Sequence, residues 1–146
     1  MKNRFATGRC FCGEIEFRIT FPTDFLAHCH CQSCRRSHAA AFVTWTSVPL
    51  ERFEFIKGEN DIAWYRSSEF ILWGFCGKCG SSMLYRAERE GHPENPRPDR
   101  MYISAGCLDA LDRSPESHVS FEEHSKLLDG FSEIPKYRGK TDKKID

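Results

Sequence analysis

The sequence predicts a mainly β chain of antiparallel sheets with little helix, and three observations carry that reading. Period-2 alternation and short apolar runs recur along the 146 residues, and no segment carries a long 3.6-residue apolar stripe. Aromatic and β-branched residues fill the runs, while glycine, proline and serine separate them. The eight cysteines are grouped rather than scattered, so sulfur ligation is positioned to tie distant segments together.

Each expected element has its own signal. Glu14-Ile15-Glu16-Phe17-Arg18-Ile19-Thr20 alternates cleanly, as a half-buried strand does. Phe25-Leu26-Ala27-His28 leads into a cysteine loop, and Ala41-Phe42-Val43-Thr44-Trp45 follows it. Phe53-Glu54-Phe55-Ile56-Lys57 is stopped by Gly58. Ile62–Arg66 and Glu69–Phe75 read as a hairpin joined through Ser67 and Ser68. Ser82–Tyr85 and Met101–Ser104 complete about eight strands. The stretch from Glu88 to Arg100 reads as a solvated loop rich in proline. Helix is expected only as a turn after Cys34 and another near Pro49-Leu50-Glu51-Arg52. Residues 1–137 form one domain of ordinary size, and 138–146 a mobile polar tail.

Composition narrows the function classes. With 21 basic and 21 acidic residues the net charge is zero, which argues against a nucleic-acid backbone or an anionic membrane as partner. No apolar run approaches the roughly 20 residues of a membrane span. The opening Met1–Gly8 has basic residues but no apolar stretch behind them, unlike a secretory signal. The expected compartment is the reducing cytoplasm, where grouped cysteines mean metal or catalysis more often than disulfides. A disulfide-stapled secreted domain is the alternative.

Seven cysteines separate into a four and a three. Cys76-Gly77-Lys78-Cys79-Gly80 places two thiols three positions apart at a tight turn that its glycines permit. Cys10-Phe11-Cys12-Gly13 is a second, weaker knuckle with its thiols on one face of an extended segment. Each pair precedes a strand, so two hairpin tips meeting would make a closed four-sulfur site. In Cys29-His30-Cys31-Gln32-Ser33-Cys34-Arg35-Arg36, three thiols fall within six residues. Three thiolates leave a position open on zinc, and an open position is where chemistry happens.

The neighbours of that loop admit two readings each. His30 lies between two ligands and points away from them, suited to orienting the site or moving a proton, or simply packed on the opposite face. Arg35 and Arg36 either hold substrate carboxylates and stabilise thiolate, or are solvent-facing charges at the start of a short helix. Cys107 is either an inert buried thiol or a fourth ligand that would close the second site. Phe25, Trp45, Trp64, Trp73 and Phe75 read as core rather than as a substrate wall.

The order Gly8-Arg9-Cys10-Phe11-Cys12-Gly13, His28–Arg36, Phe75-Cys76-Gly77-Lys78-Cys79-Gly80-Ser81 and Gly106-Cys107-Leu108-Asp109 resembles the glutathione-dependent formaldehyde-activating enzymes, a family that includes centromere protein V. The resemblance covers residues 8 to about 110. It implies an antiparallel fold like that of methionine sulfoxide reductase B. It also implies two zinc ions, a structural one on Cys10, Cys12, Cys76 and Cys79 and a catalytic one on Cys29, Cys31 and Cys34. The implied activity is carbon–sulfur lyase or synthase chemistry on the adduct of a small thiol, glutathione, with an aldehyde, formaldehyde. The sequence departs from the family at Cys107, at Leu127 after Lys126, and in the insertion at 91–98. Two rival readings accompany it: a non-catalytic zinc-stabilised interaction module, and redox cycling of the Cys31-x-x-Cys34 pair.

Overall fold

The computed structural model describes residues 4–92, 96–140 and 143–145. In chain order the strands are β1 (Phe5–Arg9), β2 (Glu16–Thr20), β3 (Leu26–Cys29), β4 (Val43–Pro49), β5 (Phe53–Lys57) and β6 (Ile62–Arg66). They continue with β7 (Ile71–Cys76), β8 (Ser82–Ala87), β9 (Arg100–Ser104), β10 (Ser117–Val119), β11 (Lys136–Arg138) and β12 (Lys143–Ile145). Among the described residues one α-helix, α1 (Gln32–His38), interrupts them. The chain is thus mainly β, as its patterning implies.

The strands form a three-stranded sheet in the order β1-β2-β5, a seven-stranded sheet in the order β10-β3-β4-β9-β8-β7-β6, and a ribbon of β11 with β12. Among the described residues all strand pairings are antiparallel except that of β10 with β3. Alternation divides the large sheet's side chains between two cores. Val48, Leu84, Met101 and Ile103 face the first, where they meet Ala6, Phe17 and Ile19 of the small sheet. Trp45, Tyr85 and Tyr102, from the same strands, join Cys34 and Val43 in the second, on the other side.

The eight expected strands form, with β5 and β6 at the expected bounds and β4 starting two residues later than expected, at Val43, and ending four residues later, at Pro49. That extension carries Thr46 and Ser47, polar but each 1 % exposed. Their hydroxyls donate to the Phe25 carbonyl at 2.5 Å and to Asp24 Oδ2 at 2.6 Å, so burial leaves neither unpaired. Strand β1 was not expected because Gly8 interrupts its pattern. The glycine is needed: a Cβ there would lie 2.2–2.8 Å from three ring atoms of Phe17. The helix begins before Cys34, at Gln32, because Cys31 caps it, its Sγ accepting the Cys34 N–H at 3.3 Å. At its end Ala39 adopts a left-handed conformation (φ 49°).

Part of the polar tail pairs in the β11–β12 ribbon, while Thr141, Asp142 and Asp146 lie outside the described residues. So do Met1–Asn3 and residues 93–95 of the expected Glu88–Arg100 loop. Among the described residues no helix is long and apolar enough to cross a membrane.

Candidate metal centres and their cleft

The knuckle after β1 and the turn between β7 and β8 meet at the edge of the first core. Sγ of Cys12 lies 3.5 Å from that of Cys10 and 3.8 Å from that of Cys76. All four ligand atoms of Cys10, Cys12, Cys76 and Cys79 fall within 4.8 Å of one another. A tetrahedron with Zn–S bonds of about 2.3 Å has sulfur–sulfur edges of about 3.8 Å, so the donor set fits zinc. Backbone donors already point at the sulfurs: Ile15 N–H at Cys10 (3.3 Å), and Lys78 and Cys79 N–H at Cys76 (both 3.4 Å). Gly13 (φ 80°) and Gly80 (φ 81°) supply the turns. Phe11 N–H donates to Ser81 Oγ at 2.9 Å, stitching one knuckle to the other.

Protons are unevenly shared within this group. The Ser81 hydroxyl, first among its donors, holds the Cys79 thiol down to about 5. At Cys12 the Glu14 N–H pulls downward but is overcome by desolvation and the adjacent sulfurs, which push the thiol up to about 12. Sulfurs this close ionise together only with a cation among them.

The second group stands where β3 runs into α1. The ligand atoms of Cys29, Cys31 and Cys34 lie within 4.8 Å of one another, and among the described residues no fourth Cys, His, Asp or Glu joins them. Trp45 Nε1–H donates to Cys34 Sγ at 3.3 Å. Hydrogen bonding from Cys29, then from Cys34, drives the Cys31 thiol down to about 2. Cys29 itself is raised, chiefly by Cys31, and Cys34 is raised chiefly by Cys29. These three soft donors also fit a zinc ion, with one side left free.

That side opens on a cleft of about 500 Å³. Phe25, Trp45, Trp73, Tyr85 and Tyr102 form its walls, and Pro96, Ser117, Val119 and Ser120 its rim. Three of the aromatics that the sequence left as core therefore face a cleft. Trp64 packs against the first core, and Phe75 lines an adjoining groove. Tyr85 and Tyr102 were not singled out from sequence, although each alternates with a core residue, Leu84 and Ile103.

The remaining candidates fall around this centre. His30 is 0 % exposed and lies outside the cleft wall, its Nε2 2.8 Å from His118 Nδ1. Its Nδ1 is buried without a hydrogen-bond partner. Burial, then the charge of His118, lowers its pKa. Arg35 Nε donates to the His30 carbonyl (3.1 Å) and Nη2 to the Glu123 carbonyl (3.0 Å). Glu123 in return accepts the Gln32 N–H at 2.7 Å, so the segment after β10 is clasped to the start of α1. Arg36 lines the groove beyond Ser33 and Trp73. Cys107 packs against the first core, outside both sulfur groups, and burial pushes its thiol up to about 12. His118 had no sequence signal, because it reaches His30 only through the parallel pairing of β10 with β3.

A mainly β chain with one four-sulfur group at the edge of a core and one three-sulfur group at a cleft is a protein with two thiol clusters that could each hold a metal ion. Residues 5–123 match the family described as "Glutathione-dependent formaldehyde-activating enzyme". The chain belongs to that family. Its fold is also similar to a crystal structure of a Rhodobacter sphaeroides protein, with a TM-score of 0.59 at 18 % identity, covering 77 % of this chain and 99 % of that one. No curated protein matches it significantly.

Proposed function

We propose that the chain is a zinc-dependent carbon–sulfur lyase, or synthase in the reverse direction, acting on the adduct of a small thiol with an aldehyde. The observation supporting this is the inequality of the sulfur groups: four donors, a full tetrahedral set, at the edge of one core, and three donors facing a cleft. Zinc on Cys29, Cys31 and Cys34 would supply a coordination position that lowers the pKa of an entering thiol.

The protein groups do the rest. Trp45 N–H fixes Cys34, and the Cys34 N–H fixes Cys31, so the ligands are oriented before anything enters. The substrate sulfur attacks the aldehyde carbon, a C–S bond forms, and the carbonyl π electrons move to oxygen, which takes a proton. The reverse reaction breaks the same bond and returns the proton. Ser33, Ser117 and Ser120 also line the cleft, and their hydroxyls would exchange that proton. His30 and Arg35 act as positioning residues, holding the loop between β3 and α1 through His118 and Glu123. Arg36 lines the adjoining groove beyond Ser33 and Trp73, and not the cleft itself. The family description supports glutathione and formaldehyde as the reactants, and the geometry of the two thiol clusters supports a metal at each.

The test joins metal content to turnover. Wild-type protein should carry two zinc ions, and Cys29→Ser or Cys34→Ser one. Each variant should lose the acceleration of adduct formation between glutathione and formaldehyde, followed by NMR, while staying folded. Wild-type metal content in both variants, or unchanged turnover, would overturn the proposal.

A further inference from the structure

The cleft over the three-sulfur group has a character that its position alone does not dictate. Its walls are aromatic, and among the described residues no arginine, lysine or histidine lines it. The polar tips of those aromatics are already engaged. Trp45 N–H donates to Cys34 Sγ, Trp73 N–H to Ser67 Oγ at 2.9 Å, and Tyr102 hydroxyl accepts the Arg97 N–H at 2.8 Å. What remains facing the cavity is ring surface, with the serine hydroxyls at its margin.

The floor adds a second constraint. Three thiolates around a divalent cation carry a formal charge of one negative, and an entering thiolate makes it two. A substrate carboxylate in this cleft would be desolvated without a cationic partner, close to like charge. Both nearby arginines are placed elsewhere: Arg35 is bound to two carbonyls, and Arg36 opens on the groove beyond Ser33 and Trp73. Ring faces, by contrast, favour a flat apolar body, and about 500 Å³ accommodates one.

We infer that this cleft selects an uncharged thiol with an aromatic or compact apolar body, in preference to glutathione with its two carboxylates and ammonium. The inference rests on the open three-sulfur centre proposed above, and specifies what that centre receives. Binding lays the body against the surface that Trp45, Trp73 and Tyr85 present to the cleft, their rings packed on one another at centroid distances of 4.9–6.1 Å, while the sulfur reaches the floor.

The test compares benzyl mercaptan, 2-mercaptoethanol and glutathione on cobalt-substituted protein. The cobalt absorption reports sulfur arrival, and tryptophan fluorescence reports contact with the walls. Benzyl mercaptan should bind at least 10-fold more tightly than glutathione and quench the fluorescence. Trp73→Ala should remove most of that preference and leave 2-mercaptoethanol within about twofold of wild type. Because Trp73 packs on Trp45 and Tyr85, a second variant at the exposed edge strand guards against misfolding. Ser117→Arg puts a cation at the rim and should improve glutathione binding about 10-fold. Glutathione binding as tightly as benzyl mercaptan, with loss on Arg36→Ala, would overturn the inference yet leave the open centre standing. Cobalt spectra unmoved by every thiol would overturn the open centre, and the inference with it.

Discussion

Replacing Trp45 by phenylalanine isolates one contact at the three-sulfur centre. The ring stays apolar and fills most of the space, but the N–H that reaches Cys34 Sγ at 3.3 Å is gone. A hydrogen bond to a charged group contributes about 1.5–3 kcal/mol. At about 1.4 kcal/mol per decade this is roughly 10- to 150-fold in affinity, matching the 10- to 100-fold typical of residues that orient metal ligands. Titration of two-zinc protein with a chromophoric chelator should release the ions in two phases, and Trp45→Phe should shift the weaker phase by that factor. The four-sulfur phase should not move, since Trp45 belongs to the other core. Trp73→Phe is the control, because it shares the cleft while its N–H serves Ser67. A weaker phase unchanged within twofold in Trp45→Phe, or shifted equally in both variants, would refute the reasoning.

Other outcomes can be measured alongside. Cys76→Ser should remove the ion of the four-sulfur group and lower the thermal midpoint by more than 10 °C, since an ion that joins distant segments contributes folding energy of about 10 kcal/mol or more; a midpoint within 2 °C of wild type would contradict it. Gly8→Ala would set a Cβ 2.2 Å from a Phe17 ring carbon, against the roughly 3.5 Å of ordinary contact. Overpacking of this kind costs about 2–3 kcal/mol, or about 5–10 °C, and Phe17→Leu in the same chain should recover part of it. Arg35→Ala removes two bonds to carbonyls and should cost about 1–3 kcal/mol in denaturant titrations, with KM for the thiol unchanged. His38 has its pKa lowered by burial, so the unfolded chain takes up its proton first as pH falls. Its contribution is present above pH 6.5 and lost as pH falls through the lower folded value; His38→Gln should flatten that part of the stability profile, and an equally steep profile would contradict it.

How far the chain could be read in advance depended on the range of each interaction. The sulfur groups were legible because Cys76/Cys79 and Cys29/Cys31/Cys34 are each set by a single short turn. Strands β2, β5 and β6 were legible from local alternation and turn residues. The end of β4 was hidden because Thr46 and Ser47 look like solvent-facing residues, and only distant partners make their burial tolerable. Strand β10 was hidden because Ser117, His118 and Val119 have no pattern of their own; pairing with β3 defines them. The cleft was hidden for a related reason. Nothing local tells Trp73, facing the sulfurs, from Trp64, facing the first core, until the strand faces are assigned.

Cys31 stands both in the three-sulfur group and at the start of α1, where its Sγ accepts the Cys34 N–H. Any substitution there therefore asks two questions at once. Serine keeps an oxygen able to begin the helix but discards the soft donor, whereas alanine discards both, and the difference in folding free energy should be about 0.5–2 kcal/mol. A scan using alanine alone would assign to the ion a share that belongs to the first turn of helix, and the serine–alanine pair is what separates them.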